Sequence, residues 1–218
     1  MEICGQFRHT ASMRHSDIDL RVLQFLLILA LFGLALVGVG IVRTEAKPRA
    51  MRIPPPPDFE LQLSPDGTAF HFSGVVDFGL TDALRRLVAE HPDVKQLTLT
   101  SAGGYIAEAR GAVTVLRANG IATHVDTHCA SACALIFVAG QARTLSPDAQ
   151  LGLHGYALHN ASQFGMIDPA VEMQRDLAIF RLQGIAEGFI ARLPDLPQTP
   201  MWYPPHEELR AAGLITQP

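Results

Sequence analysis

From Val22 to Val42 the chain reads VLQFLLILALFGLALVGVGIV, 21 residues in which the only polar side chain is Gln24. At about 1.5 Å per residue, a helix of this length spans the ~30 Å hydrocarbon core of a bilayer. Inside lipid each peptide group has to be satisfied within its own segment, so the run is expected to be helical. A cleaved signal peptide is the rival reading. Its apolar core ordinarily covers about 7–15 residues and ends at a small-residue cleavage site. This run is longer, and Thr44-Glu45-Ala46 is a poor site, so an uncleaved anchor is favoured. Arg8, Arg14 and Arg21 precede it, and Arg43, Lys47, Arg49 and Arg52 follow. That balance gives the positive-inside rule nothing to decide on. Pro54-Pro55-Pro56-Pro57 then forms a stiff, extended spacer. The chain therefore divides into a tail (1–21), an anchor (22–42), a spacer (43–57) and a globular domain (58–218).

Charge separates the same parts. Residues 1–57 hold seven Lys/Arg against four Asp/Glu, and residues 58–218 hold ten against seventeen. An acidic folded part argues against nucleic acid as a partner, since that requires a basic face. No G-x-x-x-x-G-K-[ST] occurs, which excludes a P-loop ATPase site within this chain. Lys47 and Lys95 are the only lysines, so lysine-dependent mechanisms have few candidates.

Within the globular part, Phe59–Leu63 and Ala69–Phe72 alternate around Ser64-Pro65-Asp66-Gly67, which predicts a hairpin. Thr81 is placed to cap a helix running to Glu90, with Leu84, Leu87 and Val88 on one face. Lys95–Thr100 reads as a strand rich in β-branched and apolar residues. It runs into Ser101-Ala102-Gly103-Gly104 and a helix from Ile106 to Ala118, stopped by Asn119-Gly120. Ile121–Val125 and Gln150–His154 read as strands, and Cys129–Gly140 as a short buried helix. Asp168-Pro169 opens a long helix expected to reach Arg192. Its residues Leu177, Phe180, Leu182, Ile185, Phe189 and Ile190 are available for packing. Glu207–Ala212 is a further short helix. Alternating strands and helices define an α/β class with a largely parallel sheet.

Three features of this layout bear on chemistry. Gly103-Gly104 follow a strand and precede a helix, leaving backbone amides uncovered where an oxyanion could bind. Alone, such a pair is more often a tight turn that needs glycine dihedrals. Ser131 lies between small residues in Cys129-Ala130-Ser131-Ala132-Cys133. A serine there is commonly a helix cap, but its small neighbours leave room for a substrate carbonyl. His154 ends a strand and is followed by glycine, a position more often filled by a solvated rim residue than by a base. A serine nucleophile requires a base to take its proton and amides to hold the oxyanion. Gly104, Ser131 and His154 supply those parts.

The run SAGGYIAEARGAVTVLRANGIATHVDTHCASACALIFVAGQARTLSPDAQLGLHGY resembles the proteolytic subunit of the Clp protease and its membrane-anchored, periplasmic-type relatives, within the wider crotonase-like fold. The shared elements are Ser-x-Gly-Gly after a strand, a serine among small residues, and Ala139-Gly140 nine residues beyond Ser131. A histidine follows fourteen residues after that glycine, and the stretch from Pro205 to Ile215 resembles the family's closing helix-turn-strand. The resemblance covers roughly residues 70–216. It implies a spiral of repeated β-β-α units preceded by one transmembrane helix. It also implies a serine peptidase with Ser131 as nucleophile and His154 as general base, and with the amides of Gly104 and Ala132 as the oxyanion hole.

The family's aspartate falls about twelve residues before the closing glycine, which lands on Met201. Asp195 is the nearest upstream acid and the candidate third member, with Asp168 and Asp176 further off. The acid is thus displaced, replaced by a carbonyl, or absent with activity lost. A serine–lysine dyad is disfavoured by where Lys47 and Lys95 lie. The resemblance implies a peptide or unfolded protein substrate, no cofactor, and assembly of copies into a ring. The alternative reading is an inactive domain that binds a peptide or protein partner in the same groove.

Cys129 and Cys133, if both helical, would bring their Cα atoms about 6 Å apart, within disulfide range. Two small buried thiols are the alternative. Cys4 precedes the anchor and would not pair with them across a membrane. His124, His128, His154 and His159 together with the two cysteines suggest a metal, but H-x3-H and C-x3-C are not common zinc spacings, and no metal is expected. Resemblance, and to a lesser degree the paired cysteines, favours a periplasmic or extracytoplasmic location for the domain.

Overall fold

Strand β3 (Gln96–Ser101) has side chains buried on both faces, the pattern of a central strand in a parallel sheet. It lies between β2 (Phe70–Gly74) and β4 (Ala122–Ala130), pairing parallel with both. β1 (Phe59–Leu63) adds antiparallel to β2 through the expected hairpin, where Ser64 N–H donates to Ala69 O at 2.8 Å. The computed structural model of the protein describes residues 20–42, 57–156 and 167–216. The chain falls into two units, Met1–Pro54 and Pro55–Pro218.

β4 is longer than its sequence suggests. Residues Thr123–Val125 pair with β5 (Arg143–Leu145), and His128–Ala130 pair with β6 (Gln150–Gly152), both parallel. Cys129 and Ala130 therefore end a strand rather than begin a helix. The helix that follows, α4 (Ala132–Val138), is buried on every side, as expected of a helix apolar all round. Thr123 tethers it, its hydroxyl donating to Phe137 O at 2.7 Å.

Helix α2 (Leu80–Glu90) buries Leu80, Leu84 and Val88. Thr81 does not cap it. The N-cap is Gly79, and the orphan amides of Gly79 and Thr81 donate to the Glu108 carboxylate on α3 (Ile106–Asn119) at 3.2 and 2.9 Å. Thr81 donates its hydroxyl to the same carboxylate at 2.6 Å, so α3 supplies the cap that the local sequence lacks. The two helices touch at Gly111, where a Cβ would fall 2.0 Å from Thr81 Oγ1.

The long C-terminal helix is two helices. α5 (Pro169–Leu182) begins where expected, the Asp168 carboxylate accepting from Ala170 N–H at 2.9 Å. It ends at Gly184, whose φ of +73° is left-handed. Ile185 N–H then folds back to Phe180 O at 3.1 Å, closing the helix end in the manner of a glycine C-cap. Leu177, Phe180, Ile185, Phe189 and Ile190 join the core, whereas Leu182 is exposed. A short α6 (Glu187–Ile190), a 3-10 turn (Leu193–Asp195) and α7 (His206–Ala211) complete the chain. Arg143 on β5 is buried and donates to Leu214 O, Gly213 O and Gly140 O at 2.8, 2.8 and 3.0 Å, tying the C-terminal segment to the sheet.

The apolar N-terminal run forms helix α1 (Leu20–Val42). Its side chains are described only over residues 20–34, a stretch of about 22 Å. Among the described residues no helix is long and apolar enough to cross a membrane.

Candidate active site

Ser131 occupies the turn from β4 into α4 with φ +56° and ψ −125°. It is the one described non-glycine residue with positive φ, a conformation that costs about 1–3 kcal/mol and persists only where the surroundings impose it. Here they do. Ser131 N–H donates to Gly152 O on β6 at 3.0 Å, and Ser131 O accepts from Ala134 N–H at 2.9 Å. Cys129 and Cys133 are joined by a disulfide that brackets the turn, with Cα atoms 5.3 Å apart. Both lie fully inside the core. A covalent loop this short contributes about 2 kcal/mol in the chain-entropy account.

Although Ser131 stands at the N-cap position, its hydroxyl makes no cap bond. It lies 2.7 Å from His154 Nε2 instead. His154 follows β6, held by a two-way backbone pairing of Leu153 with Trp202 at 2.8 and 2.9 Å. Its other nitrogen, Nδ1, is 2.7 Å from Gly155 O. A carbonyl oxygen only accepts, so Nδ1 carries the proton and Nε2 presents its lone pair to the Ser131 hydroxyl. This tautomer suits a base that removes a proton from serine.

Gly103 and Gly104 lie beside this pair. Ser101 Oγ accepts from Gly103 N–H at 3.0 Å and shapes the turn. A Cβ on Gly103 would fall 2.7 Å from Ser131 Cβ and 3.1 Å from Ala132 N. The backbone leading into Gly104 is therefore packed directly on the serine turn. Ala132 is the first residue of α4, so its amide has no partner one turn back in the helix. The structure thus gathers Ser131, His154, Gly104 and Ala132 along one rim of the sheet.

Asp195 is not part of this arrangement. It is exposed on the 3-10 turn, and the Nδ1 contact is made by the Gly155 carbonyl. The reason is local. The chain passes the histidine as backbone, with Gly155 N–H donating to Pro197 O at 3.0 Å. Leu196 O comes so close to Gly155 that a Cβ there would meet it at 2.0 Å. Met201, where the expected acid would fall, packs toward Gly152. Asp168 caps α5. Asp176 is buried on α5 and accepts from Tyr156 Oη at 2.6 Å and from Arg110 Nε at 2.7 Å. Burial, reinforced by Asp176, pushes the Tyr156 hydroxyl well above the ordinary phenol range, so it remains a donor. Tyr156, Asp176 and Arg110 lie far apart in sequence, and no short-range pattern connects them.

The other histidines named with the cysteines serve different ends. His124 contacts the Thr144 and Ser146 hydroxyls at 2.8 and 3.1 Å, and His128 is exposed. His159 lies outside the described residues. Among the described residues no group of three or more His, Cys, Asp or Glu is placed to hold a metal ion.

No family model matches the chain, and no curated protein matches it. Solved structures do. One is a point mutant of ClpP1 from Listeria monocytogenes, with a TM-score of 0.56 at 14% identity, covering 69% of this chain and 90% of that one. The globular unit has a Clp-protease-like α/β fold.

Proposed function

We propose that the protein is a membrane-anchored serine peptidase that cleaves peptides or unfolded protein segments. The observation that carries this reading is the 2.7 Å contact between Ser131 Oγ and His154 Nε2, with the imidazole held in the tautomer that accepts a proton. In the proposed reaction Ser131 Oγ attacks the scissile carbonyl while Nε2 takes its proton. The Gly104 and Ala132 amides receive the oxyanion. The imidazolium returns the proton to the leaving amine, and water releases the acyl group by the same route. The apolar run 22–42 is the anchor of this reading. The disulfide supports an oxidising, extracytoplasmic setting for the globular unit.

A second reading follows from Gly155. A carbonyl fixes the tautomer but lacks the full charge with which a carboxylate stabilises an imidazolium. Loss of the proper acid costs a serine triad about four orders of magnitude. A domain that binds peptides without turning them over fits that observation.

A serine-reactive fluorophosphonate applied to the detergent-solubilised full chain decides between them. The first reading expects stoichiometric labelling that Ser131→Ala abolishes and His154→Ala strongly slows. Absence of labelling in the folded wild type, or labelling retained in Ser131→Ala, removes it and leaves the binding reading.

A further inference from the structure

The group that orients His154 is a carbonyl, and a carbonyl points only where its peptide plane points. That plane joins Gly155 to Tyr156. On its first side Gly155 is pinned by its N–H bond to Pro197 O and by its packing on Leu196 O. The same packing forces a glycine at 155, and glycine is the residue least able to hold a peptide plane by its own dihedral preference. Orientation must therefore come from the second side. There the Tyr156 hydroxyl donates to Asp176 Oδ2 at 2.6 Å. Asp176 is 2% exposed, and Arg110 forks onto it, Nε to Oδ1 at 2.7 Å and Nη2 to Oδ2 at 2.9 Å. Arg110 is itself held by Glu172, through the Glu172 carboxylate and through Glu172 O at 3.2 Å. A buried ion pair adds little net stability over an apolar contact of the same shape. Its hydrogen bond from Tyr156, two residues from His154, gives it another use.

We propose that Tyr156, clamped by Asp176 and Arg110, is a positioning residue for His154. It fixes the Gly155–Tyr156 peptide plane so that Gly155 O holds Nδ1 and turns Nε2 toward Ser131. Its mechanistic meaning rests on the serine-peptidase reading, whereas its geometric content does not.

The experiment is imidazole NMR on the full chain in detergent with nitrogen-15 histidine, comparing wild type, Tyr156→Phe and Glu172→Gln. A hydrogen bond to a charged group is worth enough that Tyr156→Phe should speed exchange of the His154 Nδ1 proton about tenfold or more. His206, whose Nε2 is 2.7 Å from Ala149 O, is the internal control and should not change. Glu172→Gln loosens Arg110 but leaves the Tyr156–Asp176 bond in place, so the rise at His154 should be smaller than in Tyr156→Phe, and an equal or larger rise overturns the role given to the tyrosine hydroxyl. Exchange at His154 that is unaltered in Tyr156→Phe overturns the proposal. So does a rise at His154 and His206 together, which marks general loosening. Where Ser131 reacts with the fluorophosphonate, Tyr156→Phe should lower the maximal labelling rate about tenfold with an unchanged half-saturating probe concentration. A loss of probe affinity alone counts against positioning. If the wild type is never labelled, the peptidase reading falls, yet the imidazole exchange still decides whether Tyr156 sets His154.

Discussion

Ser131 reaches His154 because its backbone turns in a way that other non-glycine residues avoid, and Gly103 shares in that strained corner. Gly103 has φ +105°, and a Cβ there would meet Ala130 O and Ser131 Cβ at 2.7 Å, distances no Cβ tolerates. Gly103→Ala should therefore push the serine turn off its present position. The expected result is a folded but less stable protein, by about 1–3 kcal/mol, with fluorophosphonate labelling reduced at least as much as in His154→Ala. Wild-type labelling in this variant, at any stability, would show that the glycine–serine contact is unimportant for reactivity. The serine, the histidine and the glycine pair were legible in the sequence only as a spaced set resembling the Clp protease, since each alone reads more commonly as a helix cap, a rim residue or a tight turn. The partner of His154 Nδ1 was not. A backbone carbonyl has no residue signature, and the acids counted as candidates were drawn to other tasks, Asp176 to Arg110 and Asp168 to a helix cap. The gap at Met201 was the visible half of that answer.

Elements were most readable where their start and stop chemistry is local. Asp168-Pro169 marked the start of α5, and the Ser64–Gly67 turn marked the first hairpin. They were least readable where distant contacts decide. Asp126-Thr127-His128 look like a loop, yet β4 runs through them by changing partner from β5 to β6. Gly184 carried a usable stop signal for α5 that apolar spacing through Phe189 obscured. The α2 start is a third case, since its cap comes from α3. Burial raises the Glu108 carboxyl, but hydrogen bonds from the Thr81 hydroxyl and the Thr81 and Gly79 amides outweigh it and hold the group below the ordinary glutamate range. A lowered folded value means that the stability from these bonds is complete above the glutamate range. It is lost as the pH falls through the lowered value. Glu108→Gln should thus be less stable than wild type near neutrality, and the difference should close as the pH is taken below that range. Melting curves across the acid limb test this. A gap that stays constant, or widens toward low pH, would mean the carboxylate charge contributes nothing to the α2 cap.

At the scale of the whole chain, the anchor in the proposed function rests on one apolar stretch, 22–42. The acidic globular part buries its apolar residues around the sheet and α4, while described α1 side chains such as Phe25, Leu27, Leu31 and Phe32 are more than half exposed. Exposed apolar side chains grouped in this way ordinarily mark an interaction site, and the proposed function takes the apolar run to Val42 as a membrane anchor. If the run is an anchor, the expressed full chain should sediment with membranes and resist extraction by alkaline carbonate. Leu31→Arg with Leu34→Arg places two charges near the middle of the run, each opposing insertion by about 2.5–3.5 kcal/mol. The double variant should move to the soluble fraction with the Ser131 turn and its disulfide intact. Carbonate release of the wild type would remove the anchor from the proposal. Membrane retention of the double variant would place the attachment elsewhere in the chain.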